Sequence, residues 1–534
     1  MNCISNYAFS GLKKLNYAYI ADTVDDIGDR VFEQDYSLRN VRLPENSPRL
    51  GEGIFSYCKS LDNVKIPNLI ILPKNTFEYC HSLKNVSLPD GLAIIDENAF
   101  YYCDELKRIV LPENLLEIQK SAFEGCFSLE QINLPSNLFR IYNRSFERCL
   151  ALEQISLPAN LEGLGDLAFY ECTALKKVTF ADESNLIDIG EYAFGRCTAL
   201  EEFTVPNSVA YLGTGVFMEC TNLQSVQLSE NTSFLSNYLF YKCTSLTSVN
   251  VPKCVTAIGD STFSRCTALN NIYLTDNLET IGARAFGSCS SLNNVIIPDT
   301  VTNIKSYAFE NCDSLSFILL SNNITEIGRV FIRCPSLKSI ILPSKLERLE
   351  TEAFYECSGL EYIAIPDNVR IIEASAFANC QNLKAVKLPC SLVKIVDKAF
   401  NESNNIEDVY YSGSEKEWDN IMFGKQHGRL LSAKLHRKSD YEFSSCNHYN
   451  AVTAPIDNCT WKCGDNANAV LYKSGTLYVI GDGDMYDFDF SEDISTNKNH
   501  GCFYRYVIFS IVTSSIIYYI FYNTASMYIS GNFT

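Results

Sequence analysis

Residues 99–118, AFYYCDELKRIVLPENLLEI, decide the fold because their pattern returns along most of the chain. Phe100 anchors the pattern, and a phenylalanine recurs at a nearly constant interval on both sides of it. The anchors are Phe9, Phe32, Phe55, Phe77, Phe100, Phe123, Phe146, Phe169, Phe194, Phe217, Phe240, Phe263, Phe286, Phe309, Phe331, Phe354, Phe377 and Phe400. Two of the intervals are 22 residues, one is 25 and the others are 23. A fixed period of this length indicates stacked repeats rather than separate domains.

Other positions keep the same register. From Phe55 to Phe377 a cysteine stands three residues after each anchor and a leucine six residues after it. Apolar residues follow at nine and eleven, and proline often comes next. Their period-two alternation predicts a short strand with one face inward, which the proline ends because it cannot donate to a ladder.

One such unit cannot bury its own phenylalanine, leucine and isoleucine, so neighbouring units must stack and share a core. The sequence therefore predicts a repeat solenoid of about 17 stacked units over residues 1–411, with its strands in a parallel β-sheet. The segment I-x-x-x-A-F-x-x-C is expected to cross the opposite side as short turns or helical pieces.

Units such as AFYYCDELKRIVLPENLLEI and AFGSCSSLNNVIIPDTVTNI resemble the leucine-rich repeats of BspA-like surface proteins, the Treponema pallidum type. The resemblance covers about residues 4–411. It implies an α/β-type leucine-rich repeat whose curved parallel sheet lies on the concave side. It also implies a surface or secreted protein that attaches to host or matrix proteins.

The chain has 22 cysteines, and fifteen of them occupy the position after the anchor. Stacked strands bring equivalent atoms to about 4.8 Å, but side chains in such a ladder point in parallel, whereas a disulfide needs converging Cβ vectors. A buried column of free thiols is the favoured interpretation, and a column of oxidised pairs is the alternative. Elsewhere Cys446, His448, Cys459 and Cys463 could bind zinc, although their spacing matches no familiar zinc pattern, so free thiols or one local disulfide are favoured.

The repeat pattern changes after Phe400. Residues 412–440 are predicted to cap the solenoid, with a strand at residues 409–411, a helix starting near Ser414 and a final strand in LLSAKLHRK. Residues 441–490 resemble a small β module that follows such repeats. Its carboxylates could bind calcium, but they lack a calcium-loop spacing, and a solvated acidic turn is favoured. They are Asp482, Asp484, Asp487 and Asp489.

Residues 491–534 form a linker and an apolar tail with a candidate membrane segment at 503–525. Residues 506–522 carry no charge, and tyrosines flank them as they do at membrane interfaces. Their valine, isoleucine and aromatic content suits strands equally well, and a shifted reading frame is a third interpretation. The first twenty residues show no basic region followed by an apolar stretch, so no secretory signal is visible.

The net charge of −19 argues against nucleic acid as the main partner because the phosphate backbone would repel the chain. The sequence contains no nucleophile elbow, phosphate-binding loop, zincin helix or dinucleotide glycine pattern. We therefore expect no enzymatic activity, no cofactor and no metal site in the repeats, where the single histidine is His81.

Binding should use the outward strand residues, which are free to vary. Ten residues after the anchor they are mostly polar from Lys65 to Asn250 and aromatic or aliphatic in the five repeats from Tyr273 to Ala364. Together with two residues at the start of their strands, they form a predicted partner-binding stripe: Tyr273, Ile296, Phe317, Leu319, Ile341, Tyr362 and Ala364. Exposed apolar patches of this kind mark partner sites, although high β-propensity or cover by the tail would also explain them.

The sequence thus predicts a non-catalytic protein-binding or adhesion repeat protein at the cell surface. The alternatives are an intracellular, cytoplasmic scaffold, which the unpaired thiols favour, and a truncated remnant of a larger surface protein.

Overall fold

A computed structural model describes residues 2–45 and 49–437 of the chain, and beyond them the backbone of six strands. Up to residue 437 the chain winds as a solenoid of about 19 turns, and parallel strands stack at the spacing of the repeat. Most turns contribute two strands, and these form two columns along the solenoid.

The first column, here called the long-strand column, follows the conserved leucine of each repeat. The isolated bridges Asn271↔Asn294 and Leu319↔Ile341 continue it where no strand is formed. Its strands are Tyr17–Tyr19, Asn40–Arg42, Asn63–Lys65, Asn85–Ser87, Arg108–Ile109, Gln131–Ile132, Gln154–Leu157, Lys177–Phe180, Glu202–Thr204, Ser225–Gln227, Ser248–Val249, Asn294–Ile296, Phe317–Leu319, Tyr362–Ala364, Ala385–Leu388, Asp408–Tyr411 and Lys434–Arg437.

The second column, the short-strand column, precedes the anchor phenylalanine with two-residue strands. Its strands are Cys3–Ile4, Asp26–Ile27, Arg49–Leu50, Ile71–Leu72, Ile94–Ile95, Glu117–Ile118, Arg140–Ile141, Gly163–Leu164, Asp188–Ile189, Tyr211–Leu212, Phe234–Leu235, Ala257–Ile258, Thr280–Ile281, Asn303–Ile304, Glu326–Ile327, Arg348–Leu349, Ile371–Ile372, Lys394–Ile395 and Met422–Phe423.

The anchor phenylalanines form one stack through the interior. The rings of Phe100 and Phe123 are parallel within 5° at a centroid distance of 5.0 Å, and those of Phe123 and Phe146 within 1° at 5.3 Å. All three side chains are fully buried. Burial of a phenylalanine contributes roughly 1.5–3 kcal/mol, so the predicted inward residues supply the continuous core.

Backbone turns, one of the two forms expected there, build the crossing side. Asn98 and Tyr102, two residues before and after Phe100, have positive φ angles of 54° and 55°. The N–H groups of Asn98, Phe100 and Tyr102 all donate to carbonyls of the next coil, at 3.1, 2.8 and 2.8 Å. The left-handed residues turn these donors along the solenoid axis, and a helix would instead point them back into its own segment.

The solenoid and its parallel strands are therefore confirmed, but the helical part of the α/β expectation is small. In residues 2–45 and 49–437 the only α-helix is Glu415–Asp419, and a 3₁₀ turn follows at Leu430–Ser432.

A short helix and two strands follow the last repeat, in the segment predicted as a cap. Ser414 Oγ accepts from the Glu417 N–H and the Glu417 carboxylate accepts from the Ser414 N–H, which makes a capping box. Trp418 packs edge-on against Tyr411 at 5.1 Å. The cap also adds one strand to each column, because Met422–Phe423 pairs with Lys394–Ile395 and Lys434–Arg437 pairs with Asp408–Tyr411.

Beyond residue 437 the backbone forms the antiparallel pair Pro455–Tyr472 and Leu477–Met485 and the strands Phe509–Thr513, Ile516–Tyr518, Tyr522–Asn523 and Ser526–Met527. The predicted domain limits stay predictions. Among the described residues, none of the helices combines the length and the apolarity needed to span a bilayer. The candidate zinc and calcium side chains lie outside the described residues, as does most of the candidate membrane segment.

Candidate binding surface

Alternation along the long strands sorts each side chain inward or outward. In Asn294–Ile296 the central Val295 is buried, while the residues on either side of it are half-buried and point away from the core. The strands Phe317–Leu319 and Tyr362–Ala364 show the same pattern. The seven residues of the predicted stripe therefore lie on the outer face of the long-strand column.

Strand register brings the stripe together. Ile296 pairs with Leu319, and Leu319 pairs with Ile341. The bridge Asn271↔Asn294 fixes the neighbouring coil, so that Tyr273 comes next to Ile296 in the row. All seven side chains are of intermediate exposure, in contrast to Val110, which is 84% exposed at the equivalent position of an earlier coil. Strand register thus places the stripe residues next to one another on one surface.

The stripe runs into a packed cluster at the cap. Tyr362 packs against Ala385 and Tyr410, and Tyr410 is itself buried. The Tyr410 ring stacks on His436 at 4.7 Å, and His436 Nε2 lies 2.6 Å from Asp408 Oδ1. This end of the surface is therefore held by the last two long strands.

A second apolar surface lies on the short-strand column and was missed by reasoning from the long strands alone. Ile70 is 71% exposed, Ile71 44% and Leu116 43%. Further along the column Ile187, Tyr211 and Phe234 are also exposed. The signal was present in the sequence as apolar residues six and seven positions before the anchors.

The cysteine column was the main candidate for chemistry, and its environment makes it inert. All fifteen ladder cysteines are buried free thiols, as the favoured interpretation expected. Each thiol donates to a carbonyl of an earlier anchor, as Cys243 does to Phe217 at 3.0 Å. Burial raises the pKa of the Cys220 thiol to about 12. The thiolate that nucleophilic or metal chemistry requires is therefore disfavoured.

Different residues take the thiol position at the two ends of the column. Ser403 donates to the Phe377 carbonyl at 2.7 Å and accepts from the Cys380 N–H at 3.0 Å. Asp35 is buried and accepts from the Leu12 N–H. Burial raises the pKa of the Asp35 carboxyl to about 6.

Within the described residues, no three histidine, cysteine or acidic side chains come together as a metal site. His81, the single histidine of the repeats, lies on the surface, where its Nδ1 is 2.7 Å from Asp104 Oδ2.

Comparison with known families agrees with this architecture. The family profile described as "BspA type Leucine rich repeat region (6 copies)" matches residues 1–72, 70–198, 187–316 and 302–428. The chain belongs to the BspA-type leucine-rich repeat family. No curated protein matches this family member.

Solved structures similar to this BspA-type repeat protein come from several bacteria. A leucine-rich repeat protein of Bacteroides ovatus is 26% identical, with 77% of this chain and 88% of that chain covered and a TM-score of 0.49. A leucine rich cell surface protein of Faecalibacterium prausnitzii is 23% identical, with 76% and 90% covered and a TM-score of 0.33. The T. pallidum leucine-rich repeat protein is 27% identical, with 39% and 83% covered and a TM-score of 0.27.

Proposed function

We propose that this protein is a non-catalytic binding protein that attaches to host or matrix proteins through the stripe from Tyr273 to Ala364. Membership of a leucine-rich repeat family is consistent with a protein-binding role. Presentation at the cell surface is part of the proposal and rests on the resemblance of the repeats to those of surface proteins.

The observation that carries the proposal is the continuity of the stripe. Five consecutive coils place aromatic or aliphatic residues side by side, whereas the equivalent residues from Lys65 to Asn250 are polar except for Val110. Four steps of about 4.8 Å give a length of roughly 20 Å. Burial of the part of this row that is accessible against a partner contributes about 25 cal/mol per Å² of apolar area.

A double substitution tests the stripe. Leu319→Asp with Ile341→Asp puts two charges at the centre of the surface while the inward residues stay in place. We expect binding of full-length protein to intact epithelial cells and to immobilised matrix proteins to fall at least about tenfold, because the charges would be buried without partners. Thr302→Asp with Thr325→Asp, two exposed threonines of the opposite column, is the matched control.

The readout is the dissociation constant, and circular dichroism reports on the fold. Equal binding by wild type and the stripe variant rejects the stripe as the attachment surface. Loss of the fold in the stripe variant alone shows that Leu319 and Ile341 point inward.

An intracellular scaffold is the second candidate, favoured by the column of free thiols. A reduced ladder suits a reducing compartment. Fractionation of the cells that make the protein separates the two functions, since a scaffold is recovered with the soluble contents and is protected from protease added to intact cells.

Membrane anchoring through residues 503–525 is a separate part of the proposal, based on their uncharged, tyrosine-flanked composition. The full chain is expected to need detergent to stay in solution, whereas a chain that ends at residue 490 is expected to dissolve without it. Equal solubility of the two without detergent rejects the anchor.

A further inference from the structure

The outer face of the long-strand column carries no charged side chain between Glu202 and Lys387. The fourteen outward positions of seven successive coils are Ser225, Gln227, Ser248, Asn250, Asn271, Tyr273, Asn294, Ile296, Phe317, Leu319, Ser339, Ile341, Tyr362 and Ala364. We call these fourteen residues the neutral face.

Neutrality is confined to one side of the solenoid. In the same coils the short-strand column carries Glu326 and Arg348 at outward positions, and Glu279 precedes another of its strands. On the long-strand side the row before the strands is also uncharged in five coils: Gln224, Thr247, Asn270, Asn293 and Ser316. The absence of charge thus belongs to a surface and not to this part of the chain in general.

The neutral face has two zones. Its apolar zone is the stripe described above together with Ser339, which lies between Phe317 and Tyr362 in their row, and its amide–hydroxyl zone comprises Ser225, Gln227, Ser248, Asn250, Asn271 and Asn294. Internal contacts hold the amides in place, since Asn250 Oδ1 accepts from the Leu228 N–H at 2.6 Å and Asn294 Nδ2 donates to Asn293 Oδ1 at 2.8 Å. An amide side chain both donates and accepts, so this zone suits a partner that does both without charge, as a peptide backbone does.

We propose that the neutral face binds an uncharged, extended peptide segment of the partner, about nine residues long. This inference rests on the proposed function and adds the chemistry of the ligand. Apolar side chains of the segment would cover the apolar zone, and its backbone amides would meet the amide–hydroxyl zone. Six steps of about 4.8 Å make the face roughly 29 Å long, which an extended chain spans in about nine residues at ~3.3 Å each.

The absence of charge selects against charged segments. A lysine or glutamate in the centre of the contact would lose its water and find no opposite charge on the face, and this unpaired burial is costly. Binding is therefore expected to be insensitive to salt, even though the whole chain carries a net charge of −19.

A random library of nine-residue displayed peptides tests the proposal with the full-length protein. Peptides enriched on wild type and lost on Leu319→Asp should lack charged residues in their central positions. Their dissociation constants should change less than about twofold between 50 and 500 mM NaCl. Enrichment of charged peptides, or a tenfold change with salt, overturns the inference.

Two further variants separate this inference from the proposed function. Gln227→Lys with Ser248→Lys adds charge to the amide–hydroxyl zone and should weaken the selected peptides at least about fivefold. The same two lysines in place of Thr302 and Thr325 are the matched control and should have no effect. Unchanged peptide binding by the first pair rejects the amide–hydroxyl zone, although the stripe could still carry attachment.

If the stripe variant Leu319→Asp with Ile341→Asp leaves attachment to cells intact, the proposed function itself fails. A different result would reject the peptide inference alone. In that case the variant loses attachment to cells, no uncharged peptide binds wild type, and a neutral polysaccharide binds wild type but not the variant.

Discussion

At the residue scale, one position in each repeat combines packing with a hydrogen bond. A cysteine thiol fills a small buried space and also donates to the carbonyl of an earlier anchor, as Cys243 does to Phe217. Ser403 makes the same bond at the end of the column. From Cys58 to Ser403 this position therefore holds a small side chain that carries a donor.

Substitution of Cys243 separates the two contributions. Cys243→Ser keeps a donor for the Phe217 carbonyl, whereas Cys243→Ala removes it at similar volume. We expect the serine variant to be more stable than the alanine variant by about 0.5–1.5 kcal/mol, the usual contribution of a hydrogen bond. Urea unfolding followed by circular dichroism gives the two free energies, and equal values mean that the thiol only fills space.

Asp35 occupies the same position in the second repeat, and its burial predicts that the stability of the fold depends on pH. Burial raises the pKa of its carboxyl to about 6, above the unfolded value near 3.9. The folded state thus binds this proton more tightly, so the contribution of Asp35 is fully present below about pH 4 and is lost as the pH rises through 6.

Asp35→Asn removes this titration and keeps an acceptor for the Leu12 N–H. The free energy of unfolding of the variant should equal that of wild type at pH 4 and exceed it at pH 7 by about 1–3 kcal/mol. This range follows from a pKa difference of roughly two units at 1.4 kcal/mol each. Thermal unfolding at the two pH values measures the difference. Asp367→Asn, at an exposed aspartate of a later turn, is the control, and its difference in stability from wild type should be the same at both pH values.

At the scale of elements, the cap is the least repetitive part of the solenoid, and it contains a buried histidine. The capping box of Ser414 and Glu417 starts the helix that places Trp418 on Tyr411. His427 is buried within the cap, and its burial lowers the pKa of the imidazole, opposed by the Gly424 carbonyl and Asp397. The histidine is therefore neutral in the folded cap.

Acid should loosen the cap before it unfolds the coils. A lowered histidine pKa means that the unfolded cap binds the proton better, so cap stability falls as the pH drops below about 6.5. Hydrogen exchange at residues 434–437 should accelerate between pH 7.5 and 5.0, after correction for the intrinsic rate. His427→Gln should lose this acceleration, and a wild type without it contradicts the expected role of His427.

At the scale of the whole molecule, each coil contacts its neighbours, so stability depends on how well each end is covered. The C-terminal end has the cap over Phe400, whose side chain is fully buried. At the other end Phe9 is 37% exposed and Leu12 46%. The anchor phenylalanine of the first coil is therefore less buried than those of the coils that follow.

Protection from hydrogen exchange should follow this difference. The amides of Tyr7, Phe9 and Gly11, which donate to the second coil, are expected to exchange faster than the equivalent amides of the central coil around Phe217, because opening an end breaks contacts on one side only. Exchange measured by mass spectrometry on this chain tests the gradient. Uniform protection along the solenoid would mean that it opens only as one unit.

The sequence alone determined the solenoid, its period and its inward residues, since a buried position that recurs every 23 residues leaves little freedom in what can stand there. Phe100, Cys103 and Leu106 could all be assigned to the core from spacing. It also located the outward stripe, because alternation along a strand assigns faces before any coordinates are known. Whether that stripe binds a partner stays a prediction.

Only the tertiary structure decided how the crossing side is built and which surfaces neighbour one another. The left-handed turns at Asn98 and Tyr102 exist because their N–H groups find carbonyls in the next coil, and nothing within one repeat indicates that. The exposure of Ile70 and Leu116 likewise depends on the stacking of coils. Local pattern fixes which way a side chain points, but contacts between coils fix what it meets.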